Sequence, residues 1–276
     1  MTCEAAAHFA SSASESDQLI ERYAVLAKGV PLYEEPLNLL RSEEGIRDPG
    51  SYFAALLAIA QGYTSTGRIA GRAQVNPSVA ARMLERLRGL GYVELMQPIE
   101  LKPARARAYW RITDPYFRFW FRYVFSNRSR LERGLVDVVA REIAADFPTL
   151  TGGVFEDCCR AWVGRRSSLA GESREVGAWW SRKGDAEVDV VALGKDEYIL
   201  LGSCKWRKGE VGESVLDQLY VHRALLGPKA ARARLALFAR HGFSERVQER
   251  ARLGDVLLVT AGEMFGGGCW VVGSLI

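Results

Sequence analysis

The chain has 276 residues, of which 48% are hydrophobic and 25% are charged, and this composition predicts a globular protein of two ordinary-sized domains. No apolar run is long enough to cross a bilayer, and the first residues lack the basic segment and apolar core of a signal peptide. A cytoplasmic protein with no membrane partner is therefore expected. Five cysteines without a C-x-x-C pair argue against a disulfide framework or a zinc site.

Charge is distributed unevenly along the chain. Residues 1–50 contain 4 Lys+Arg and 9 Asp+Glu, residues 51–133 contain 14 and 5, and residues 134–276 contain 19 of each. Nearly all of the positive charge in the middle segment is arginine, which suits phosphate groups and guanine edges. The middle segment therefore predicts a polyanionic partner, for which double-stranded DNA is the first candidate. Residues 1–18 are expected to be a disordered tail.

The basic middle segment has the element order of a winged helix-turn-helix, with expected limits of 49–128. Asn76-Pro77 provides a turn and a helix start, and Val79, Met83 and Leu87 recur at helical spacing to form an apolar face. The patterns predict helices at 52–61, 67–73 and 77–90, followed by strands at 92–95 and 109–112.

Five side chains of this segment are candidates for DNA binding. If the third helix enters the major groove, it presents Ser78, Arg82 and Arg86, which recur every fourth residue. Arg105 and Arg107 lie in the basic wing between the two strands, where they would contact phosphate or the minor groove. The alternative is that the fold is a protein-interaction module and its arginines are merely solvated.

An aromatic segment at residues 113–123 follows the wing. Aromatic residues on all sides of a helix predict burial, with Arg118 and Arg122 on its one exposed stripe. A stacking surface for single-stranded DNA, with aromatics interleaved with arginine, is the alternative.

The rest of the chain, residues 129–276, predicts an α/β domain, so that the whole protein is of the α+β class. A helical pattern at 131–147 is expected to end at the Pro- and Gly-containing residues 148–153, before a second helix that carries Glu156. The predicted order then continues with strands at 176–180, 187–193 and 198–206, a helix at 214–226, a strand at 235–239, a helix at 244–253 and a strand at 256–260.

Four residues of this domain form a candidate site. Asp189 lies within a strand, and Ser203 and Lys205 share one face of the next strand because the strand period is two. The short connection at 194–197 makes these strands a hairpin, and Glu156 on the preceding helix approaches the same place.

This order resembles the site of PD-(D/E)XK nucleases, with a helix glutamate, a strand aspartate and an acid-x-lysine on the next strand. The resemblance implies weak Mg²⁺ binding by Glu156 and Asp189, and a Lys205 that steers the attacking water. Ser203 stands where the family has an acid, so one metal ligand is missing and the site is expected to be inactive. Two alternatives remain: an active Mg²⁺-dependent DNA endonuclease in which Glu187 replaces the missing ligand, or a buried ion network without chemistry.

Longer motifs resemble the C-terminal half of the prokaryotic DEXX-box ATPases, which are AAA-type proteins. The motifs lie at residues 29–33, 114–122, 153–156, 187–192 and 202–206. The resemblance implies that residues 19–48 are a remnant of an ATPase lid and that a separate ATPase core is a partner. Because the chain has no P-loop, it is not expected to hydrolyse ATP.

Together these features predict a DNA-binding accessory or regulatory protein with an inactive nuclease-like domain, related to or partnered with an ATPase. The rivals are the active endonuclease and a module that docks an ATPase without touching DNA.

Overall fold

The computed structural model describes residues 31–46, 48–100 and 108–266, and these residues form two compact units. The first unit holds the described residues up to Gln97 and those from 108 to Leu150, and the second holds residues 98–100 and those from Thr151 onward. The predicted tail at 1–18 and the first part of the predicted lid remnant lie outside the described residues. Both units combine helices with β-sheet, which confirms the α+β class. None of the helices in the described ranges is long and apolar enough to span a membrane.

The first unit contains the predicted order of helix, helix, turn, helix and two-stranded sheet. Its elements are α1 (Pro31–Ser42), α2 (Pro49–Ala60), α3 (Thr66–Ala73), α4 (Pro77–Gly89), β1 (Val93–Met96), β2 (Tyr109–Ile112), α5 (Pro115–Phe119), a π-helical turn (Trp120–Val124), a 3-10 turn (Phe125–Asn127) and α6 (Arg128–Glu132). The strands β1 and β2 are antiparallel, and Glu94 lies opposite Arg111 in their register. The two side chains form an ion pair, with the Arg111 Nη2 2.7 Å from the Glu94 Oε1.

Local chemistry explains where α4 begins. The side chain of Asn76 accepts a hydrogen bond from the Ser78 backbone N–H at 3.0 Å, and Pro77 occupies the first turn, where no backbone donor is needed. Met83, Leu84 and Leu87 are buried, so α4 turns its apolar face into the core of the first unit.

The aromatic segment is buried, as expected, but its arginines do not form an exposed stripe. Phe117, Trp120 and Phe121 lie in the core of the first unit. The predicted exposure of Arg118 and Arg122 is wrong: Arg118 donates to the Ile112 carbonyl at 2.7 Å, and Arg122 donates to Asp146 at 2.6 Å. Both side chains are half-buried, because these acceptors satisfy the guanidinium donors inside the fold.

A long helix, α7 (Val136–Gly164), contributes its first half to the first unit and its second half to the second. The predicted break at 148–153 is wrong, since Pro148 lies within this continuous helix. Proline within a helix removes one hydrogen bond and crowds the preceding turn. The burial of apolar residues on both sides of Pro148 offsets this cost; they include Val139, Ile143, Phe155 and Val163. The two compact units divide after Leu150, within this helix.

The second unit is built on a five-stranded mixed sheet in the order β3-β4-β5-β6-β7. The strands β3, β4 and β5 are antiparallel to one another, and β5, β6 and β7 are parallel. After α7, its elements are α8 (Ser167–Ala170), β3 (Glu175–Trp180), β4 (Glu187–Leu193), β5 (Tyr198–Lys205), α9 (Glu213–Leu225), a 3-10 turn (Pro228–Ala230), β6 (Arg234–Ala239), α10 (Glu245–Arg252), β7 (Leu257–Thr260) and α11 (Ala261–Gly266).

Two local features of this sheet are a close approach at Gly202 and a covered outer edge. At Gly202 in β5, a Cβ atom would lie 2.9 Å from the Phe238 ring and 3.1 Å from Val190, so glycine lets the neighbouring side chains approach the strand. At the outer edge of the sheet, the Ile99 N–H donates to the Ala178 carbonyl of β3 at 2.9 Å. The Trp179 indole N–H donates to Glu100 at 3.0 Å, so residues 98–100 cover part of that edge.

Candidate functional site

The candidate site lies where the β4–β5 ladder ends. The paired residues of the two strands run from Leu193↔Tyr198 to Val190↔Gly202, and Asp189 is the next residue beyond this ladder. Its Oδ2 accepts hydrogen bonds from the Ser203 hydroxyl at 3.1 Å and from the Cys204 backbone N–H at 2.6 Å. The carboxylate therefore takes the place of a strand acceptor and fixes the ends of β4 and β5 together.

Lys205 stands beside this carboxylate. Its Nζ lies 3.8 Å from the Asp189 Oδ2, and its side chain is one-third exposed whereas that of Asp189 is only 14% exposed. The structure thus brings together Asp189, Ser203 and Lys205, the strand residues singled out from the sequence.

The second half of α7 supplies the rest of the site. Arg160 is only 12% exposed, and its Nη1 donates to the Asp189 backbone carbonyl at 2.6 Å. Its Nη2 donates to Asp157 Oδ1 at 2.6 Å, and its Nη1 lies 3.8 Å from Glu156 Oε2. Arg160 and Asp157 were missed by the sequence reasoning. The available signal was the spacing of three and four residues that places Glu156, Asp157 and Arg160 on one side of a helix.

Four carboxyl groups converge here: Glu156, Asp157, Glu187 and Asp189, hereafter the acidic cluster. Burial, and next the nearby charge of Asp189, raise the pKa of Glu156 to about 7, while Arg160 acts in the opposite direction. Burial and Asp189 also raise the pKa of Glu187. Desolvation and like charge both disfavour the ionised forms, so the cluster resists carrying its full negative charge.

The cluster does not fit a magnesium ion. Within residues 31–46, 48–100 and 108–266, no three His, Cys, Asp or Glu side chains are placed to hold a metal. The Asp189 Oδ2 already accepts two hydrogen bonds, and the Asp157 carboxylate and the Asp189 carbonyl already bind the Arg160 guanidinium. Mg²⁺ requires near-octahedral oxygen ligands at short distances, and here these oxygens point to a guanidinium and to backbone and hydroxyl donors. These contacts form an ion network around Arg160.

The candidate DNA-binding residues on α4 differ in how they are engaged. The Ser78 hydroxyl donates to Asn76 at 2.9 Å, so it serves the helix cap. The Arg86 guanidinium donates to the Glu44 backbone carbonyl, which ties α4 to the turn after α1. Arg82 is exposed and makes no hydrogen bond or ion pair with any described residue. Arg105 and Arg107 lie outside the described residues.

The pKa of Glu156 predicts a specific pH dependence of stability. A carboxyl with a raised pKa binds its proton more tightly in the folded chain than in the unfolded chain. The protonated Glu156 therefore stabilises the fold fully below its ordinary pKa of 4.5, and this stabilisation is lost as the pH rises through about 7. Because a third of the side chain is exposed, solvent screening reduces the effect to about 1–2 kcal/mol. Urea unfolding of the wild type should show this loss between about pH 5 and about pH 8, and Glu156→Gln should show a smaller loss that comes from Glu187.

Glu172→Gln is the matched control, since Glu172 is an exposed glutamate of the same unit. Its unfolding should follow the wild-type pH dependence. If Glu156→Gln and the wild type lose stability in parallel over this range, Glu156 does not titrate as described.

The site lies within a stretch that is similar to known sequences. Residues 120–216, which include Glu156, Asp189, Ser203 and Lys205, match the DUF234 family model, described as archaeal and bacterial proteins of unknown function. The uncharacterized protein MJECL04 of Methanocaldococcus jannaschii is 28% identical over 241 residues, covering 76% of this chain and 53% of that protein.

Among solved structures, that of protein VC1899 from Vibrio cholerae is similar over 92% of this chain and 54% of that chain, with 15% identity and a TM-score of 0.33. The chain spans about half the length of the curated relative, and about half that of the Vibrio protein.

Proposed function

We propose that the protein is a DNA-binding accessory protein whose second unit is a nuclease-like domain without metal-dependent cleavage. The observation that carries the proposal is the location of the arginines that no acid neutralises. Arg68, Arg72 and Arg82, on α3 and α4, make no ion pair with any residue in the described ranges.

Several other arginines of the basic segment are paired with acids. Five of them form ion pairs shorter than 4 Å: Arg88 with Glu85, Arg111 with Glu94, Arg122 with Asp146, Arg128 with Glu132 and Arg130 with Glu142. By contrast, Arg68 stacks on the Tyr63 ring at 5.1 Å and Arg72 donates to the neutral Gln61 at 3.1 Å, so both keep their charge uncompensated. Within the basic segment, three arginines that have no acid partner among the described residues thus lie on the helix-turn-helix, where a phosphate backbone would be met.

The second unit supports the inactive form of a nuclease-like domain. The Lys205 Nζ lies 3.8 Å from the Asp189 Oδ2, which supports the nuclease resemblance, and Ser203 donates a hydrogen bond to Asp189 at the position where the family has an acid. Within the acidic cluster, the Asp157 carboxylate and the Asp189 backbone carbonyl both accept hydrogen bonds from Arg160. A separate ATPase core remains part of the proposal, and it rests on the sequence resemblance alone.

Salt-dependent binding to duplex DNA tests the proposal. Phosphate contacts by Arg68, Arg72 and Arg82 should give a slope of log K against log salt of about −2 to −3. Arg82→Ala should flatten the slope by about one unit, because one phosphate contact is lost. Fluorescence anisotropy of a labelled duplex over a salt series measures both slopes.

Arg232→Ala is the matched control, because it removes an exposed arginine from the second unit. It should leave the slope unchanged. Binding that is absent, or equally weakened by both substitutions, would favour the protein-interaction module. Magnesium-dependent nicking of plasmid by the wild type, lost in Asp189→Asn, would instead establish the endonuclease.

A further inference from the structure

We propose that Arg160 is the resident cation of the acidic cluster and that its guanidinium excludes a divalent metal ion from the site. The inference deepens the proposed function and rests on its assignment of a nuclease-like domain to the second unit. It gives the loss of metal binding a second cause, independent of the serine at position 203.

The position of the guanidinium is fixed by two short hydrogen bonds from different nitrogens. Nη1 reaches the backbone carbonyl of Asp189 and Nη2 reaches the carboxylate of Asp157, each at 2.6 Å. One acceptor belongs to β4 and the other to α7, so Arg160 links the two elements that carry the cluster. With only 12% of the side chain exposed, the group has little freedom to leave.

The charge of this group is permanent. Arginine stays protonated in proteins, so the site holds a full positive charge at every physiological pH. The Lys205 ammonium adds a second cation 3.8 Å from Asp189. Together these two positive charges balance the negative charge of the acidic cluster, as a divalent metal ion would otherwise do.

The same contacts occupy two oxygen atoms that could otherwise bind a metal ion. A metal placed among Glu156, Asp157 and Asp189 would have to displace the guanidinium from the Asp157 carboxylate and from the Asp189 carbonyl. If Arg160 stayed in place, it would repel the ion at close range in a partly desolvated site. Restoring an acid with Ser203→Glu would therefore leave this obstacle in place.

Manganese titration tests the inference, with Mn²⁺ as a probe that electron paramagnetic resonance detects directly. The wild type should bind no Mn²⁺ at this site at concentrations up to about 1 mM, whereas Arg160→Ala should bind one ion per chain at least about tenfold more tightly. Arg160→Lys keeps the positive charge and should behave as the wild type does. Adding Asp189→Asn to Arg160→Ala should abolish the new site.

Arg232→Ala is the matched control, because it removes an equal charge from the surface of the same unit and should create no site. Arg160→Met keeps an aliphatic stem in the buried position, so it replaces Arg160→Ala if the latter does not unfold cooperatively. Mn²⁺ binding by the wild type that is lost in Asp189→Asn would overturn the inference. So would Arg160 variants that fold and bind no more Mn²⁺ than the wild type.

These outcomes are independent of DNA binding. The manganese titration contains no DNA, and the salt slope depends on the helix-turn-helix. A flat salt slope would therefore refute the proposed function and leave the role of Arg160 standing, and the converse also holds.

Discussion

Asp189→Ala is expected to lower the free energy of unfolding of the second unit by about 2–4 kcal/mol. The substitution leaves the buried Cys204 backbone N–H and the Ser203 hydroxyl without the acceptor that they share. It also removes the carboxylate that lies 3.8 Å from the Lys205 ammonium. Urea denaturation at neutral pH, followed by tryptophan fluorescence, measures the loss.

Two further substitutions separate the causes. Asp189→Asn keeps an acceptor oxygen but not the charge, so we expect it to cost less than half as much as alanine. Asp196→Ala changes an exposed aspartate in the turn of the same hairpin and should alter stability by no more than about 0.5 kcal/mol. Equal losses of unfolding free energy in Asp189→Ala and Asp196→Ala would mean that the Asp189 hydrogen bonds do not stabilise the second unit.

Trp120→Ala should destabilise the first unit by about 3–5 kcal/mol. Trp120 is fully buried in the π-helical turn and packs against Phe121 and Phe125, with ring centroids 5.0 and 5.3 Å away. Its indole N–H donates to the Tyr33 carbonyl of α1 at 2.9 Å, so the substitution leaves both a cavity and an unpaired acceptor. The midpoints of thermal unfolding and of urea unfolding should both fall.

Trp120→Phe retains most of the ring contact and loses the hydrogen bond, for an expected loss of about 1–3 kcal/mol. Leu39→Ala removes a 42% exposed side chain of α1 and should change stability by no more than about 0.5 kcal/mol. A Trp120→Ala protein as stable as Leu39→Ala would contradict the packing described for the first unit.

Element positions were largely predictable, because they depend on periodicity within short segments. The strand at 187–193 and the return strand at 109–112 have the predicted limits, since alternating or continuous β-branched and aromatic residues end at clear turn residues. The predicted helix break at Pro148 was wrong because a local rule weighs the lost hydrogen bond alone. Buried side chains on both sides of the proline, such as Ile143 and Phe155, stabilise the continuous helix.

The strand part of the candidate site was predictable for the same reason. Strand alternation alone places Ser203 and Lys205 together, and the hairpin brings Asp189 to them. Arg160 was not predictable, because an acid three or four residues before an arginine is equally typical of a solvent-exposed helix face. Only the packing of α7 on the sheet decides that this face meets Asp189.

Arginine burial shows the same limit. Arg118 and Arg122 look like an exposed stripe in sequence, yet they donate to the Ile112 carbonyl and to Asp146. Their acceptors lie on other elements, and no pattern within residues 113–123 contains that information.

The short segment 98–100 has a consequence for dissecting the protein. It belongs to the second unit, although the chain on both sides of it carries the strands of the first, so neither unit is one uninterrupted stretch of sequence. A gene truncated to begin after Leu150 would encode β3 without the Ile99 and Glu100 contacts that cover its outer edge. An uncovered edge strand offers free backbone donors and acceptors to any other chain, so such a fragment invites self-association. Attempts to produce the second unit alone should carry residues 98–100 with it, by circular permutation or a linked peptide.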